Sequence, residues 1–128
     1  MSFCTAINCM DGRTQLPVNT YLREKLNVEF VDTVTEPGPV KILGEAPESE
    51  LTRSILNRVD ISTGKHGSRC IALVAHTDCG GNPAPKDAQM GQLDAAVKLL
   101  KGRYPNVRVL GLWVDESWTV SEIISIEP

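Results

Sequence analysis

At 128 residues, 41% of them hydrophobic and 23% charged, the chain has the size of one compact domain, 1–128, that can bury a core without disulfides or metal as a folding support. A formal net charge of −3 leaves no basic footprint, which argues against nucleic acid or an anionic membrane surface as partner and favours a small molecule. No run approaches the ~18 apolar residues of a membrane span and no signal peptide is evident, so the expected location is cytoplasmic.

The segment "FCTAINC" at 3–9 is short and mostly apolar and runs into Gly12, the pattern of a buried strand ending in a loop. Pro17 can open a helix with Leu22 and Leu26 on one face and Asn27 at its end, before a second strand, "VEFVDTV", at 28–34. "TEPGPVKIL" at 35–43 reads as a turn-rich connection. Pro47 then opens a second helix carrying Leu51, Ile55 and Val59, which ends near "TGKHG". "CIALVA" at 70–75 is apolar without alternation, as in a central strand covered on both faces. A third helix carries Leu93, Ala96, Val97 and Leu100, and "VRVLGLWV" at 107–114 is a fourth strand.

Strands alternating with helices predict an α/β fold, a mostly parallel central sheet flanked by helices and joined by right-handed crossovers. In such sheets ligands bind at the carboxyl ends of the strands. That rule brings "CMDGR" after the first strand and "HTDCGG" after the third to the same edge. The 4 cysteines then read as thiols or metal ligands rather than a disulfide framework.

Cys9, His76 and Cys79 together offer two thiolates and one imidazole, a donor set that suits Zn²⁺, with the H-x-x-C spacing letting one tight turn supply two ligands. Three protein ligands leave a position open, which is the mark of a catalytic rather than a structural zinc. Asp11 lies close enough to accept a hydrogen bond from a zinc-bound water or to take the fourth position itself. Arg13 bears on that choice, because a guanidinium fork can hold a carboxylate ionised and off the metal.

These residues, Cys9-Met10-Asp11-Gly12-Arg13 followed by His76-Thr77-Asp78-Cys79-Gly80, resemble the C-x-D-x-R and H-x-x-C pattern of the β-class carbonic anhydrases. The resemblance implies zinc on Cys9, His76 and Cys79, an Asp11–Arg13 catalytic dyad, and a sheet of order 2-1-3-4. It also implies reversible hydration of carbon dioxide to bicarbonate, and a homodimer or higher homo-oligomer. Hydrolysis of carbon disulfide or carbonyl sulfide on the same site is the alternative, as is a non-catalytic zinc-binding module. The chain departs from the family's R-N-A-G loop after the second strand, where it has "TEPG" at 35–38, so contacts around the site differ there. The short stretch before Cys9 offers no counterpart to the substrate-binding glutamine of plant-type members or to the N-terminal helices that embrace a second subunit.

The remaining candidates have plainer readings. Cys4 and Cys70 sit at the far ends of their strands, about 16 Å from the proposed site at strand rise, and read as core. His66 precedes the third strand and reads as a surface histidine away from the metal. Asp78 reads as forming a local turn with its own backbone, Gly80 and Gly81 as supplying special backbone angles beside the metal, and Trp113 and Trp118 as packing residues. A thiol-nucleophile enzyme would need an anion-cradling arginine where the chain has Gln15.

Overall fold

The computed structural model describes residues 1–128. Its elements run β1 (Phe3–Cys9), α1 (Gly12–Leu26), β2 (Phe30–Glu36), α2 (Pro39–Glu45), α3 (Glu50–Gly64), β3 (Cys70–His76), α4 (Lys86–Arg103), β4 (Arg108–Val114) and β5 (Val120–Ile126). The sheet order is β2-β1-β3-β4-β5. The first four strands are parallel and β5 is antiparallel to β4.

All of β3 is buried, as expected of a central strand with both faces covered. Alternate residues feed two cores. Cys4, Ala6, Ala72 and Val74 pack with Val18 and Leu22 of α1 on one face. Ile7, Ile71 and Leu73 pack with Leu43, Ile55, Val59, Leu93 and Leu100 of α2, α3 and α4 on the other. Cys4 and Cys70 belong to the first core and are free thiols. Their burial pushes Cys4 up to about 12 and Cys70 up to about 11, which leaves them inert.

Several elements correct the sequence-based expectation. The first helix opens at Gly12, not Pro17, because Asp11 caps it: the Asp11 side chain accepts from the Arg13 N–H at 2.9 Å. Pro17 lies inside the helix, where its missing N–H removes a single intrahelical bond near the N-terminus. Asn27, in the left-handed region at φ 52°, ends the helix as expected. The second strand begins at Phe30 and reaches Glu36. The connection at 35–43 contains a helix, α2, with Pro39 in its first turn and Val40 and Leu43 buried. In α3 the buried stripe is Thr52, Ile55, Leu56 and Val59, whereas Leu51 is 54% exposed. Ser49 caps that helix by accepting from the Thr52 N–H. Finally, β5 is a fifth strand that the sequence pattern does not announce.

No helix is long and apolar enough to cross a membrane. His66 stands at the amino-terminal edge of the sheet, with Nδ1 2.6 Å from Asp32 Oδ2 and its ring stacked on Phe3.

Candidate metal centre

Strand geometry delivers the donors. Cys9 is the last residue of β1, His76 the last of β3, and both strands are parallel neighbours ending at the same edge. Cys79 follows β3 in a tight turn closed by the Asn82 N–H on the Cys79 carbonyl. The ligand atoms of Cys9, His76 and Cys79 lie within 4.8 Å of one another, and all three residues are buried.

Three observations test whether a metal fits. The Cys9 and Cys79 sulfurs are 3.8 Å apart, far beyond a disulfide bond. Two thiolates on a tetrahedral zinc at about 2.3 Å would be separated by about 3.8 Å. His76 Nδ1 is 2.6 Å from the Thr77 carbonyl, to which it donates as N–H. That tautomer leaves the Nε2 lone pair free for coordination. Nε2 is buried and has no hydrogen-bond partner, an arrangement that is unfavourable unless something else satisfies it. The residues therefore fit zinc.

The titration behaviour follows from the same crowding. Burial alone would raise the Cys9 thiol, but the adjacent His76 imidazole and the backbone N–H groups of Gly38 and Asp11 bring it down to about 7. Cys79 is pushed up by burial and then by the neighbouring Cys9 charge. His76 is raised despite its burial, because Cys9 and the Thr77 carbonyl favour its protonated form.

Beside the donors stands a fixed ion pair. Arg13 Nη2 donates to Asp11 Oδ2 at 2.7 Å and Arg13 Nε to Asp11 Oδ1 at 3.1 Å, the two-pronged geometry of a strong guanidinium–carboxylate pair. Asp11 Oδ1 also accepts the Arg13 backbone N–H. An ionised carboxylate has about four acceptor positions, so the free one lies on Oδ2. These bonds from Arg13 outweigh burial and hold the Asp11 carboxyl at about 2.

Asp78 and Trp118, expected to serve a local turn and packing, also meet Arg13. Asp78 does more than turn its own backbone: its Oδ2 accepts from Arg13 Nη1 and its carbonyl from Arg13 Nη2, each at 3.2 Å. Trp118 places its ring 4.6 Å from the Arg13 guanidinium carbon. The glycine expectation needs correction as well. Positive φ belongs to Asp78, at 52°, and to Gly38, at 67°, rather than to Gly80 or Gly81. Gly81 is required by close approach, since a Cβ there would lie 2.5 Å from the Pro37 carbonyl carbon. Gly38 is constrained by both conformation and space, because its Cβ would lie 2.9 Å from Asn82 Cβ. The "TEPG" loop thus packs on the Cys79 loop, and its Gly38 amide helps lower the Cys9 thiol. Gln15 donates from Nε2 to the Cys9 carbonyl at 2.7 Å, which holds the loop backbone and forms no anion cradle.

An open, mostly parallel α/β sheet with a Cys-His-Cys donor set and an Asp–Arg pair at its carboxyl edge defines the class. A family model described as "Putative carbonic anhydrase" matches residues 1–124, and the chain belongs to that family. Among solved structures, it is similar to a tetrameric β-carbonic anhydrase of Sordaria macrospora, with TM-score 0.64 and 13% identity over 96% of this chain and 81% of that one. It is also similar to the carbonic anhydrase of Glaciozyma antarctica, with TM-score 0.63 and 16% identity over 94% and 81%. The β-carbonic anhydrase of Aspergillus fumigatus aligns with TM-score 0.51 and 16% identity over 98% and 76%. At these identities the likeness concerns the fold. Comparison with curated protein sequences gives no match.

Proposed function

We propose that the protein is a zinc-dependent carbonic anhydrase that interconverts carbon dioxide and bicarbonate. The observation that carries this reading is the donor set, in which two sulfurs stand 3.8 Å apart beside an unpartnered buried imidazole nitrogen. Cys9, His76 and Cys79 would hold the metal. Zinc, when bound, supplies the Lewis acidity that makes water a nucleophile near neutral pH.

The chain's own part is orientation. Asp11 is ionised at any pH where the enzyme would work, and its free lone pair on Oδ2 can accept a hydrogen from the attacking water. Arg13 occupies the other positions of the carboxylate and so favours Asp11 as an orienting group over Asp11 as a fourth ligand. Hydration adds the water oxygen to the carbon of carbon dioxide and releases one proton and bicarbonate. Microscopic reversibility assigns Asp11 the same hydrogen bond in dehydration.

A homo-oligomer also belongs to the proposal. Met10, beside Cys9, is 63% exposed and Leu16, on the first turns of α1, is 74% exposed. A second subunit covering these side chains would remove apolar surface from water at the edge of the site. The Sordaria relative is described as tetrameric, in line with this reading.

The test is stopped-flow carbon dioxide hydration near pH 7 and near pH 8.5, on protein whose zinc content is determined in the same sample. Turnover in proportion to zinc at both values is expected. Full zinc without turnover at either value would overturn the enzymatic reading and leave a metal-binding module.

A further inference from the structure

Trp118 sits where a tryptophan is costly. Its φ is 59°, a left-handed conformation that is unusual for a bulky side chain and strained. The hairpin between β4 and β5 holds it there. Asp115 Oδ1 accepts from the Ser117 and Thr119 N–H groups at 2.9 and 3.0 Å. The Trp118 N–H donates to the Asp115 carbonyl at 2.9 Å. A glycine or asparagine would meet that backbone angle with less strain, so the turn is built around this particular side chain.

What the side chain touches is the Arg13 guanidinium, 4.6 Å from the ring centroid. In its own plane Arg13 is committed on both sides, to Asp11 through Nε and Nη2 and to Asp78 through Nη1 and Nη2. Those bonds fix where the guanidinium sits and leave rotation out of its plane as the soft motion. A ring against its face restrains that motion, by contact and by the attraction of a cation to the π system. Because a two-pronged guanidinium–carboxylate pair favours coplanarity, the tilt of Arg13 sets the tilt of the Asp11 carboxylate.

We propose that Trp118 is a positioning residue: by covering the face of Arg13 it sets the plane of the Asp11 carboxylate at the metal centre. The consequence for turnover rests on the carbonic anhydrase reading above, whereas the restraint on Arg13 stands apart from it. Trp118 also packs against the smaller core, so a purely structural role is the competing account. Leucine keeps apolar bulk without a π face, and phenylalanine keeps the face.

The experiment compares wild type, Trp118→Leu and Trp118→Phe for hydrogen exchange of the Arg13 Nε–H by NMR, for zinc content, and for kcat and KM in carbon dioxide hydration. Trp118→Leu should exchange about tenfold faster and lose about tenfold in kcat, with zinc content and KM near wild type, while Trp118→Phe restores both to within about threefold. Exchange in Trp118→Leu equal to wild type overturns the proposal. So does an unchanged kcat in Trp118→Leu at full zinc, or equal losses in the two variants. Wild type that binds zinc without turnover, together with faster exchange in Trp118→Leu alone, sinks the hydration reading and supports the restraint on Arg13. If Trp118→Leu does not fold, Asp115→Ala, which frees the turn and leaves the indole present, must loosen the Arg13 Nε–H in the same way, and failure to do so counts against the proposal.

Discussion

Because asparagine caps helices about as well as aspartate, Asp11→Asn separates the two tasks of this side chain. The cap on α1 survives, since the amide oxygen can accept the Arg13 N–H as Oδ1 does. What is lost is the charge that Arg13 grips. Activity in carbon dioxide hydration should fall by at least about 100-fold at unchanged zinc content, the range expected for a group that handles a proton or its hydrogen bond in the reaction. Wild-type turnover in a zinc-loaded Asp11→Asn protein would remove Asp11 from the chemistry. The same variant carries a stability signature. The folded-state carboxyl is held at about 2, below the ordinary aspartate value near 4. Its contribution is therefore complete above about pH 4 and disappears as the pH falls through about 2. With the Arg13 side chain 47% exposed, solvent screening limits that contribution to about 1 kcal/mol. Urea denaturation should show wild type ahead of Asp11→Asn by that amount at pH 7, with the gap closing toward pH 2. A gap that persists at the acid end would mean that the ion pair is not its source.

Among the elements, the two loops around the donors depend on each other. The turn after β2 and the turn after β3 approach so closely at Gly38 and Gly81 that neither tolerates a Cβ. Gly38→Ala combines a strained φ with contacts of 2.9 Å to Asn82 Cβ and to the Gly81 carbonyl carbon. It should lower stability by about 2–3 kcal/mol and, by shifting the amide that faces the Cys9 sulfur, weaken zinc binding at least about tenfold. Gly64→Ala is the control. It ends α3 with nothing within 4 Å of the added carbon, so stability should hold or rise by up to about 1 kcal/mol. Chemical denaturation and competition against a chromophoric chelator would measure both quantities, and a Gly38→Ala protein with wild-type values in each would break the proposed dependence. This coupling was hard to read in the chain. Gly38 lies in a run of prolines and glycine that looks like plain punctuation, and the run also hid α2, whose Pro39 is a helix starter rather than a breaker. Likewise β5 lies on an exposed edge, and its apolar–polar alternation is broken where Ser121 and Glu122, then Ile123 and Ile124, stand side by side, a weak signal beside the continuous apolar run of β3. The legible part was what local pattern determines: the two motifs, the parallel strands that end in them, and the α4 stripe of Leu93, Ala96, Val97 and Leu100. Trp118 and Asp78 meet Arg13 only through tertiary folding, and neither belongs to a spacing that predicts it.

At the scale of the whole molecule, zinc held as proposed by Cys9, His76 and Cys79 would add to a fold that has its own cores. Cys9 and Cys79 lie 70 residues apart in sequence, so an ion held between them closes a long loop and adds to stability as a cross-link does. Its contribution is set by mass action, about 2.7 kcal/mol at free zinc 100-fold above Kd. The two cores are independent of it. They comprise 17 and 10 buried residues spread over the length of the sheet, with each fully buried aliphatic side chain contributing about 1.5–3 kcal/mol of transfer free energy. Chelation should therefore leave a folded protein whose melting temperature is lower by about 10 °C, given the unfolding entropy typical of a chain this size. Cys79→Ser, with one thiolate gone, should melt near the chelated wild type and gain little on addition of zinc. Circular dichroism melts of the two proteins with and without zinc distinguish the cases. If chelation instead abolishes the helical signal at 25 °C, as it does for small domains that fold only around their metal, then the sheet is not self-sufficient. The centre would then count as part of the core, and the proposed open fourth position would be disfavoured, because a site that must hold the fold together gains most from a fourth protein ligand.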